Sequence, residues 1–432
     1  MKNIRNLILN QISRSMNEIN LKKIDFLTVL AVFFLSILGL LNIYSAVHAN
    51  NFESPLSLDN PFGKQFVFLI ISFILFILVQ ALPFKFFEKF ASIAYVLSML
   101  SLFGLFIFGK NINGATAWYQ IFGFGFQPSE LAKPITALAL AKFLSDLNAN
   151  IRTIKTQFYS FLIILIPILL IILQPDPGST LIFLSFFLVF YKIGLPSIYM
   201  NLFIGFIILF FLTILLSKKI IIITIFSISL LAIFYFFKKK KSIKKIIIYS
   251  FVFSSFVFSV DFIFNNIFEQ HHRDRFNIVM GLQQDNRGIG YNTNQSKIAF
   301  ASGGFFGEGF LKGAQTKGDF VPFQHTDYIF SVVGEEWGVF GASLVICLFT
   351  FLMLRISKRA ELQRNLFSKI FSYSTATIIF SHFFINIGMV LGLVPTIGIP
   401  LPFFSYGGSN LIGFVLLISI YIRLDSQRTS RW

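Results

Sequence analysis

The feature that most constrains this chain is a series of apolar runs, each close to 20 residues long and separated by short polar segments. A helix that crosses about 30 Å of hydrocarbon needs roughly 20 apolar residues, and about twelve runs approach that length. The predicted spans are 25–47, 63–82, 87–109, 130–147, 157–174, 178–193, 196–216, 219–237, 244–265, 327–354, 367–393 and 405–423. The sequence therefore predicts an all-α polytopic membrane protein with about twelve transmembrane helices.

Composition excludes the main soluble classes. The chain is 55% hydrophobic and 13% charged, with a mean hydropathy of +0.76. Its net charge of +17 does not indicate nucleic-acid binding, because the 36 Lys and Arg residues form short clusters between apolar runs rather than a basic domain. Cys347 is the single cysteine, so no intramolecular disulfide is expected.

The distribution of Lys and Arg predicts the orientation of the spans. Short loops rich in these residues stay in the cytoplasm. Such loops are 1–24, 85–89, 152–155, 238–245, 355–369 and 423–431, whereas 48–62, 110–129, 174–178 and 394–404 carry almost no Lys or Arg. The pattern predicts a cytoplasmic cationic leader at 1–24, a transmembrane domain at 25–423, a cytoplasmic tail at 424–432 and one long external loop at 266–326. Lys218 and Lys219 are exceptions to the alternation.

Two short motifs lie at predicted span ends on the external side. In Gln-Pro-Ser-Glu-Leu-Ala-Lys at 127–133, Glu130 and Lys133 share a helix face because they are three residues apart. A charge in hydrocarbon costs on the order of 3 kcal/mol, so the pair either neutralises itself or lines a polar cavity. In Gln-Pro-Asp at 174–176, Asp176 is expected to cap the following helix.

The long loop combines basic residues with glycine. Arg275 and Lys297 carry charges that suit phosphate, and the glycines within 303–309 would let the backbone approach a bulky ligand closely. A merely flexible loop is the alternative interpretation. The glycine spacing matches neither a P-loop nor a dinucleotide fingerprint, so no nucleotide site is predicted.

Acidic residues and prolines flank the last three spans. Asp327 is predicted in the first turn of a helix, where amide dipoles would keep the pKa of its carboxyl low. A simple helix cap and an ionised base both fit that position. The histidines lack the spacing of a zinc helix. The proline-rich segment 394–408 predicts irregular backbone, which survives at membrane depth only beside protein or a water-filled cavity.

Together, these strings resemble the SEDS family (shape, elongation, division and sporulation proteins) of bacterial cell-wall glycosyltransferases. The resemblance rests on five strings in order, at 127–133, 174–176, 295–299, 325–327 and 398–408. Lys297, the Asn-Ile-Gly-Met string at 386–389 and the Gly-Ile-Pro string at 398–400 favour the RodA elongation branch over the FtsW division branch. The family normally has ten spans, so an extra pair of helices is expected within 196–265.

The resemblance implies an inverting peptidoglycan glycosyltransferase that polymerises lipid II, an undecaprenyl-pyrophosphate disaccharide-pentapeptide, at the outer face of the cytoplasmic membrane. Asp327 would be the general base, and Arg275 and Lys297 would stabilise the leaving pyrophosphate. The other residues expected to bind substrate or shape its site are Glu130, Lys133, Asp176, Asp319, His325 and Ser405.

The sequence and the resemblance also bear on cofactors, partners and alternative functions. No cofactor is established; a divalent cation is compatible with the phosphate chemistry, although no ligand cluster supports one. The implied partners are a class B penicillin-binding transpeptidase and the elongation-complex proteins. The main alternative is a flippase for lipid-linked precursors, or another transporter with Glu130, Glu335 and Glu336 as a relay, although the inverted repeats of many transporters are not apparent. A scaffold that recruits other wall enzymes is a third class.

Overall fold

The structure is a computed structural model. It describes residues 24–48, 56–112, 114–121, 123–146, 149–238, 243–268, 270–283, 288 and 290–428. The cationic leader up to residue 23, the lysines at 239–241 and the last four residues of the predicted tail lie outside these ranges. The described chain forms two compact units, one comprising residues 1–194 and 292–432 and the other Leu195–Tyr291.

The helices confirm the predicted all-α class. They are α1 (Phe26–His48), α2 (Pro61–Ala81), α3 (Phe84–Phe108), α4 (Pro128–Ser145), α5 (Ile154–Ile172), α6 (Pro177–Leu184), α7 (Phe186–Ile193), α8 (Ser197–Leu215), α9 (Lys218–Lys238), α10 (Lys244–Phe262), α11 (Gln270–Val279), α12 (Tyr291–Ser302), α13 (Ala314–Lys317), α14 (Ile329–Glu361), α15 (Leu366–Val390) and α16 (Gly408–Asp425). A π-helical turn, Ile263–Ile267, continues α10.

Ten helices in the described part of the chain are long and apolar enough to cross a membrane. The two remaining predicted spans have a different character. One corresponds to α4, which is polar enough to fall outside that set, and the other is divided into α6 and α7. The division falls at Ser185, whose hydroxyl donates to the carbonyl of Ile182 at 2.5 Å.

A small antiparallel sheet, which the sequence did not predict, precedes α4. Its strands, in the order β1-β2-β3, are β1 (Lys110–Ile112), β2 (Ala115–Ile121) and β3 (Phe124–Phe126). Gly114 and Gly123 have φ values of 88° and 84° beside the two connections, a conformation that favours glycine. The amide of Thr116 donates to the carbonyl of Gln174 at 3.2 Å, which ties the sheet to the Gln-Pro-Asp turn.

Helix α4 lies at the centre of the first unit. It packs against α3, α15 and α16, and most of its side chains are buried. Small residues permit this close packing: a Cβ at Gly413 of α16 would lie 2.9 Å from the carbonyl oxygen of Glu130. The first half of the 127–133 motif is therefore held in the protein interior.

The first and last spans of the first unit are joined by buried charges. Asp25 accepts hydrogen bonds from the guanidinium of Arg355 at 2.5–3.0 Å and lies 3.0 Å from Arg359, which also pairs with Asp425. Burial alone would raise the pKa of the Asp25 carboxyl, but the bonds from Arg355 and Thr28 hold it below its ordinary value. The start of α1 and the ends of α14 and α16 thus meet at one face, as expected if both termini lie on the same side.

The second unit contains α8, α9, α10 and α11. Helix α10 packs against both α8 and α9. Lys218, an exception to the predicted charge alternation, forms an ion pair with Asp261 at 2.7 Å. The exceptional positive charge is therefore balanced within this unit.

The stretch predicted as one long external loop, 266–326, contains the helices α11, α12 and α13. The boundary between the two units falls inside it, after Tyr291. No apolar periodicity in the sequence predicts these short helices, which Gly and polar residues punctuate. The external position of the stretch stays a prediction.

Candidate active site

Asp327 lies in a turn before α14, two residues ahead of the first helical residue, Ile329. The prediction that it occupies the first turn of the helix was therefore wrong. The turn is closed locally, since the amides of Thr326 and Tyr328 both donate to the carbonyl of Phe323, at 3.0 and 3.3 Å. Asp327 lies at the end of α14 opposite to Arg355.

Three consecutive backbone carbonyls hold this turn in place. The carbonyls of residues 325–327 accept hydrogen bonds, in order, from the amide of Tyr406 at 2.9 Å, the hydroxyl of Ser405 at 2.6 Å and the side-chain amide of Asn386 at 2.8 Å. All three donors come from α15 or from the proline-rich segment that follows it. The polypeptide around Asp327 is thus attached to a part of the chain 59 to 81 residues away.

The carboxylate itself is half-buried. A Cβ at Gly398 would lie 3.5 Å from its Oδ2, an ordinary contact, and the φ of 70° at Gly398 is a conformation that favours glycine. Burial raises the pKa of the Asp327 carboxyl to about 6, the opposite of the predicted direction. Desolvation of the carboxyl is the cause of this shift. Such a carboxyl is ionised at neutral pH yet basic enough to accept a proton.

Asp319 and His325 lie on the same approach to α14. The side chain of Gln324 donates to Asp319 Oδ1 at 3.1 Å and to the carbonyl of Ala46 at 3.0 Å. Burial lowers the pKa of the His325 imidazole, and the charge of Asp319 partly offsets this effect. The ring of His325 lies 5.6 Å from that of Tyr406. The structure therefore brings three of the predicted site residues into one region.

Ser405 is buried, and its hydroxyl is used by the protein itself. It donates to the carbonyl of Thr326 and accepts from the amide of Leu401 at 2.9 Å. Gln65, which the sequence did not single out, fastens the same segment by accepting from the amide of Gly407 at 3.1 Å and donating to the carbonyl of Ser405 at 3.4 Å. A lone amide within a long apolar run is the signal that could have found Gln65.

Glu130 and Lys133 form a buried ion pair at 2.6 Å. Of the two interpretations left open, mutual neutralisation is therefore observed. Lys133 also contacts Nε2 of His382 at 2.9 Å, and Nδ1 of His382 lies 3.1 Å from the carbonyl oxygen of Pro400. His382 was not among the predicted site residues. The sequence feature that could have identified His382 is again a polar side chain inside an apolar span.

Asp176 is the N-cap of α6, which confirms the predicted capping role. Its Oδ1 accepts from the amide of Ser179 at 2.9 Å, and its Oδ2 accepts from the Ser179 hydroxyl at 2.8 Å. Gln127 adds a third bond to Oδ2 at 3.0 Å. The first two motifs of the chain are therefore hydrogen-bonded to each other.

The two predicted phosphate ligands lie in different units. Lys297, on α12, is exposed, and its side chain lies so close to Gly392 that a Cβ there would collide with it. Ser296 donates to the carbonyl of Val390 at 3.0 Å and fixes α12 to the end of α15. Arg275 lies on α11 of the second unit, and its role stays a prediction.

The glycine-rich string at 303–309 packs against helix α14. The amides of Glu308 and Gly309 donate to the carbonyls of Glu335 and Glu336, at 2.9 and 3.0 Å, next to a kink in α14 at Gly338. The glycines thus permit close approach to the chain's own helix. Ligand binding by this string stays a prediction.

The paired glutamates of α14 anchor the same region. Glu335 accepts from the amides of Gln315 and Thr316, at 2.6 and 2.9 Å, and Glu336 accepts from the amide of Leu311 at 3.1 Å and from the hydroxyl of Ser45. These bonds give both carboxylates a structural role and do not support the proposed transport relay. Within the described ranges, no group of three or more His, Cys, Asp or Glu side chains is arranged to hold a metal ion.

Comparison with known proteins adds independent information. The model of the FtsW, RodA and SpoVE family, described as cell cycle protein, matches residues 26–227 and 196–430. A probable peptidoglycan glycosyltransferase FtsW of Enterococcus hirae is 30% identical over 423 residues, covering 94% of this chain and 93% of the relative. Peptidoglycan glycosyltransferase RodA of Treponema pallidum (strain Nichols) is 29% identical over 426 residues, covering 92% and 98%.

A solved structure shares the fold over almost the whole chain. It is described as "Structural coordination of polymerization and crosslinking by a peptidoglycan synthase complex". The matching chain is 26% identical, with a TM-score of 0.69, and the match covers 94% of this chain and 99% of that one. The turn before α14 and the buried pair on α4 are therefore set in a fold that has been observed in a wall-synthesising assembly.

Proposed function

This chain belongs to the FtsW, RodA and SpoVE family of cell cycle proteins, and from that premise we propose that it polymerises lipid II into glycan strands at the outer face of the bacterial cytoplasmic membrane. It is a multi-pass membrane protein and an enzyme of the peptidoglycan glycosyltransferase class. The observation that carries the proposal is the half-buried carboxyl of Asp327, with its raised pKa, on a turn held by three hydrogen bonds.

In the proposed reaction, Asp327 is the general base. Its carboxylate accepts the proton of a sugar hydroxyl as that oxygen forms a bond with the anomeric carbon of the donor. The bond from the anomeric carbon to the lipid pyrophosphate breaks, and the configuration at that carbon inverts. Lys297, which is exposed on α12, stabilises the charge on the departing pyrophosphate. The corresponding role of Arg275 rests on the resemblance alone.

The other predicted site residues form two groups, according to their exposure to solvent. Asp319 is exposed and His325 is half-buried, so we assign them direct contacts with the sugar or peptide of the substrate. Glu130, Lys133, Asp176 and Ser405 bond to other parts of the protein and act by shaping the site. No metal is assigned to the reaction; synthesis in the presence of EDTA would test for a divalent cation.

The proposal also includes a protein partner, a branch of the family and an orientation in the membrane. A class B penicillin-binding transpeptidase is the expected partner, because the structural relative described above was solved in an assembly of polymerisation and crosslinking. The elongation branch, with its complex proteins, is supported by Lys297 and by the string at 386–389. The charge pattern supports cytoplasmic termini and an external position for Asp327.

Glycan synthesis from lipid II by the purified full-length chain in proteoliposomes tests the proposal. Asp327→Asn should abolish strand formation, whereas Asp59→Asn, at an exposed carboxylate before α2, should keep it. The wild-type rate should fall about tenfold between pH 7.5 and pH 5, because a carboxyl with a pKa of about 6 is then mostly protonated. Strand synthesis by Asp327→Asn would refute the assignment of the base. Lipid translocation that survives Asp327→Asn, without any synthesis by the wild type, would favour a flippase.

A further inference from the structure

Two buried polar residues on α15 face the proline-rich segment. His382 and Asn386 are four residues apart, so they lie on the same face of the helix on successive turns. Nδ1 of His382 lies 3.1 Å from the carbonyl oxygen of Pro400, and Nδ2 of Asn386 donates to the neighbouring carbonyl of Ile399 at 2.8 Å. The helix therefore holds two consecutive carbonyls of a segment that also carries Gly398 and Ser405.

Chemistry assigns one protonation state to His382. The ammonium group of Lys133 has donors but no acceptor, so Nε2 of His382, 2.9 Å away, must be the acceptor. The ring proton is then on Nδ1, where it donates to Pro400. His382 is thus a neutral imidazole with both nitrogens in use, joined on one side to the Glu130–Lys133 pair and on the other to the proline-rich segment.

Asn386 makes the corresponding connection to the catalytic turn. Its side-chain amide donates to the carbonyl of Ile399 and also to that of Asp327, each at 2.8 Å. Its Oδ1 is buried and has no hydrogen-bond partner among the described residues. The orientation of the amide is therefore determined by the two carbonyls to which it donates, because no donor to its oxygen competes.

We propose that His382 and Asn386 are positioning residues, which link the buried Glu130–Lys133 pair to the turn of Asp327 through the carbonyls of residues 399 and 400. The proposal rests on the function of Asp327 as the base. The ion pair, which is itself buried, then affects catalysis through this chain of hydrogen bonds. A displacement of the base by about 1 Å can lower a rate about 100-fold, so the chain acts on turnover rather than on substrate affinity.

The test is steady-state lipid II polymerisation by the full-length chain in proteoliposomes. Asn386→Ala and His382→Phe should each lower kcat about 10- to 100-fold and leave KM within about twofold. His382→Asn keeps a donor near the Nδ1 position and should restore most of the kcat lost in His382→Phe. The losses of kcat caused by Lys133→Met and by His382→Phe should not multiply in the double variant. Both substitutions interrupt the same chain of hydrogen bonds.

Asn42→Ala is the matched control. Asn42 is also a buried amide in a span, but within the described ranges it donates only to Leu38 of its own helix, at 2.8 Å, so its removal should leave kcat unchanged. If Asn42→Ala loses kcat as Asn386→Ala does, or if Asn386→Ala keeps the wild-type kcat, the positioning role is refuted. Asp327→Asn separates the two proposals: an inactive Asp327→Asn with a fully active Asn386→Ala refutes this inference alone, whereas an active Asp327→Asn refutes the proposed function. If His382→Phe fails to fold, the kcat of Asn386→Ala alone tests the positioning role.

Discussion

Replacement of Asp327 by asparagine should remove activity and stabilise the fold at the same time. The pKa of its carboxyl is about 6 in the folded protein, against 3.8 for the unperturbed group. A raised folded pKa means that folding favours the protonated form. The associated stability is fully present below 3.8 and is lost as the pH rises through 6. At pH 7.5 the folded protein therefore carries the whole cost of the ionised carboxylate.

The size of this cost follows from the two pKa values. At about 1.4 kcal/mol for each pKa unit, the gap between 3.8 and about 6 corresponds to at most about 3 kcal/mol at pH 7.5. Asparagine is neutral and nearly the same shape, so it removes the cost. At pH 4.5 most of the carboxyl in the folded protein is already protonated, and the gain shrinks to about 1 kcal/mol.

Thermal unfolding of the purified protein in detergent micelles at pH 7.5 and pH 4.5 would measure both quantities. Asp176→Asn serves as the matched control, because Asp176 accepts three hydrogen bonds. The amide nitrogen of asparagine cannot accept the bonds that now go to one of the two carboxylate oxygens, so this substitution should destabilise the protein by about 1 kcal/mol. A lower melting temperature of Asp327→Asn than of the wild type at pH 7.5 would refute the expected stabilisation. An equal gain in stability at both pH values would refute its link to the pKa of the carboxyl.

Three further substitutions test buried hydrogen bonds and ion pairs of the fold. Ser405→Ala should cost about 1–3 kcal/mol and lower kcat, because a buried amide and carbonyl lose their partner; an unchanged kcat in the polymerisation assay would contradict this. Glu335→Gln should cost about 2–3 kcal/mol in thermal unfolding, since an amide group replaces an oxygen that accepts from backbone donors, and an unaltered melting temperature would exclude that role. Asp25→Asn should lower the free energy of unfolding by about 2 kcal/mol, a small value for a buried ion pair because Arg355 remains partly exposed. A comparable loss of stability in 1 M salt and in low salt would confirm that the pair is shielded from solvent.

The spans were predictable because their cause is local. A run of about 20 apolar residues in a bilayer must satisfy its own backbone hydrogen bonds, and only a helix does so within one segment. The eleventh span, predicted at 367–393, is Leu366–Val390 in the structure. The pairing of Glu130 with Lys133 was likewise among the expected outcomes, because residues three apart on a helix face are neighbours.

The environment of Asp327 was not predictable in the same way. Its position relative to α14 depends on where a turn closes, and its pKa depends on how deeply other segments bury it. Those segments, at Asn386, Gly398 and Ser405, are 59 to 78 residues distant along the chain. No periodicity in the sequence encodes such contacts. The packing of the glycine string at 303–309 against α14 was not predicted for the same reason, since its partner is a helix further along the chain.

The sequence by itself determined that this chain is an all-α membrane protein, which segments carry the charge and which polar strings are candidates for a chemical role. The tertiary structure alone decided what surrounds those strings: which carboxylate is desolvated, which hydroxyl is occupied, and which two side chains of α15 lie between a buried ion pair and the turn of Asp327. Hydrophobic length and charge are properties of a segment, whereas desolvation and hydrogen-bond partnership arise only when distant segments meet.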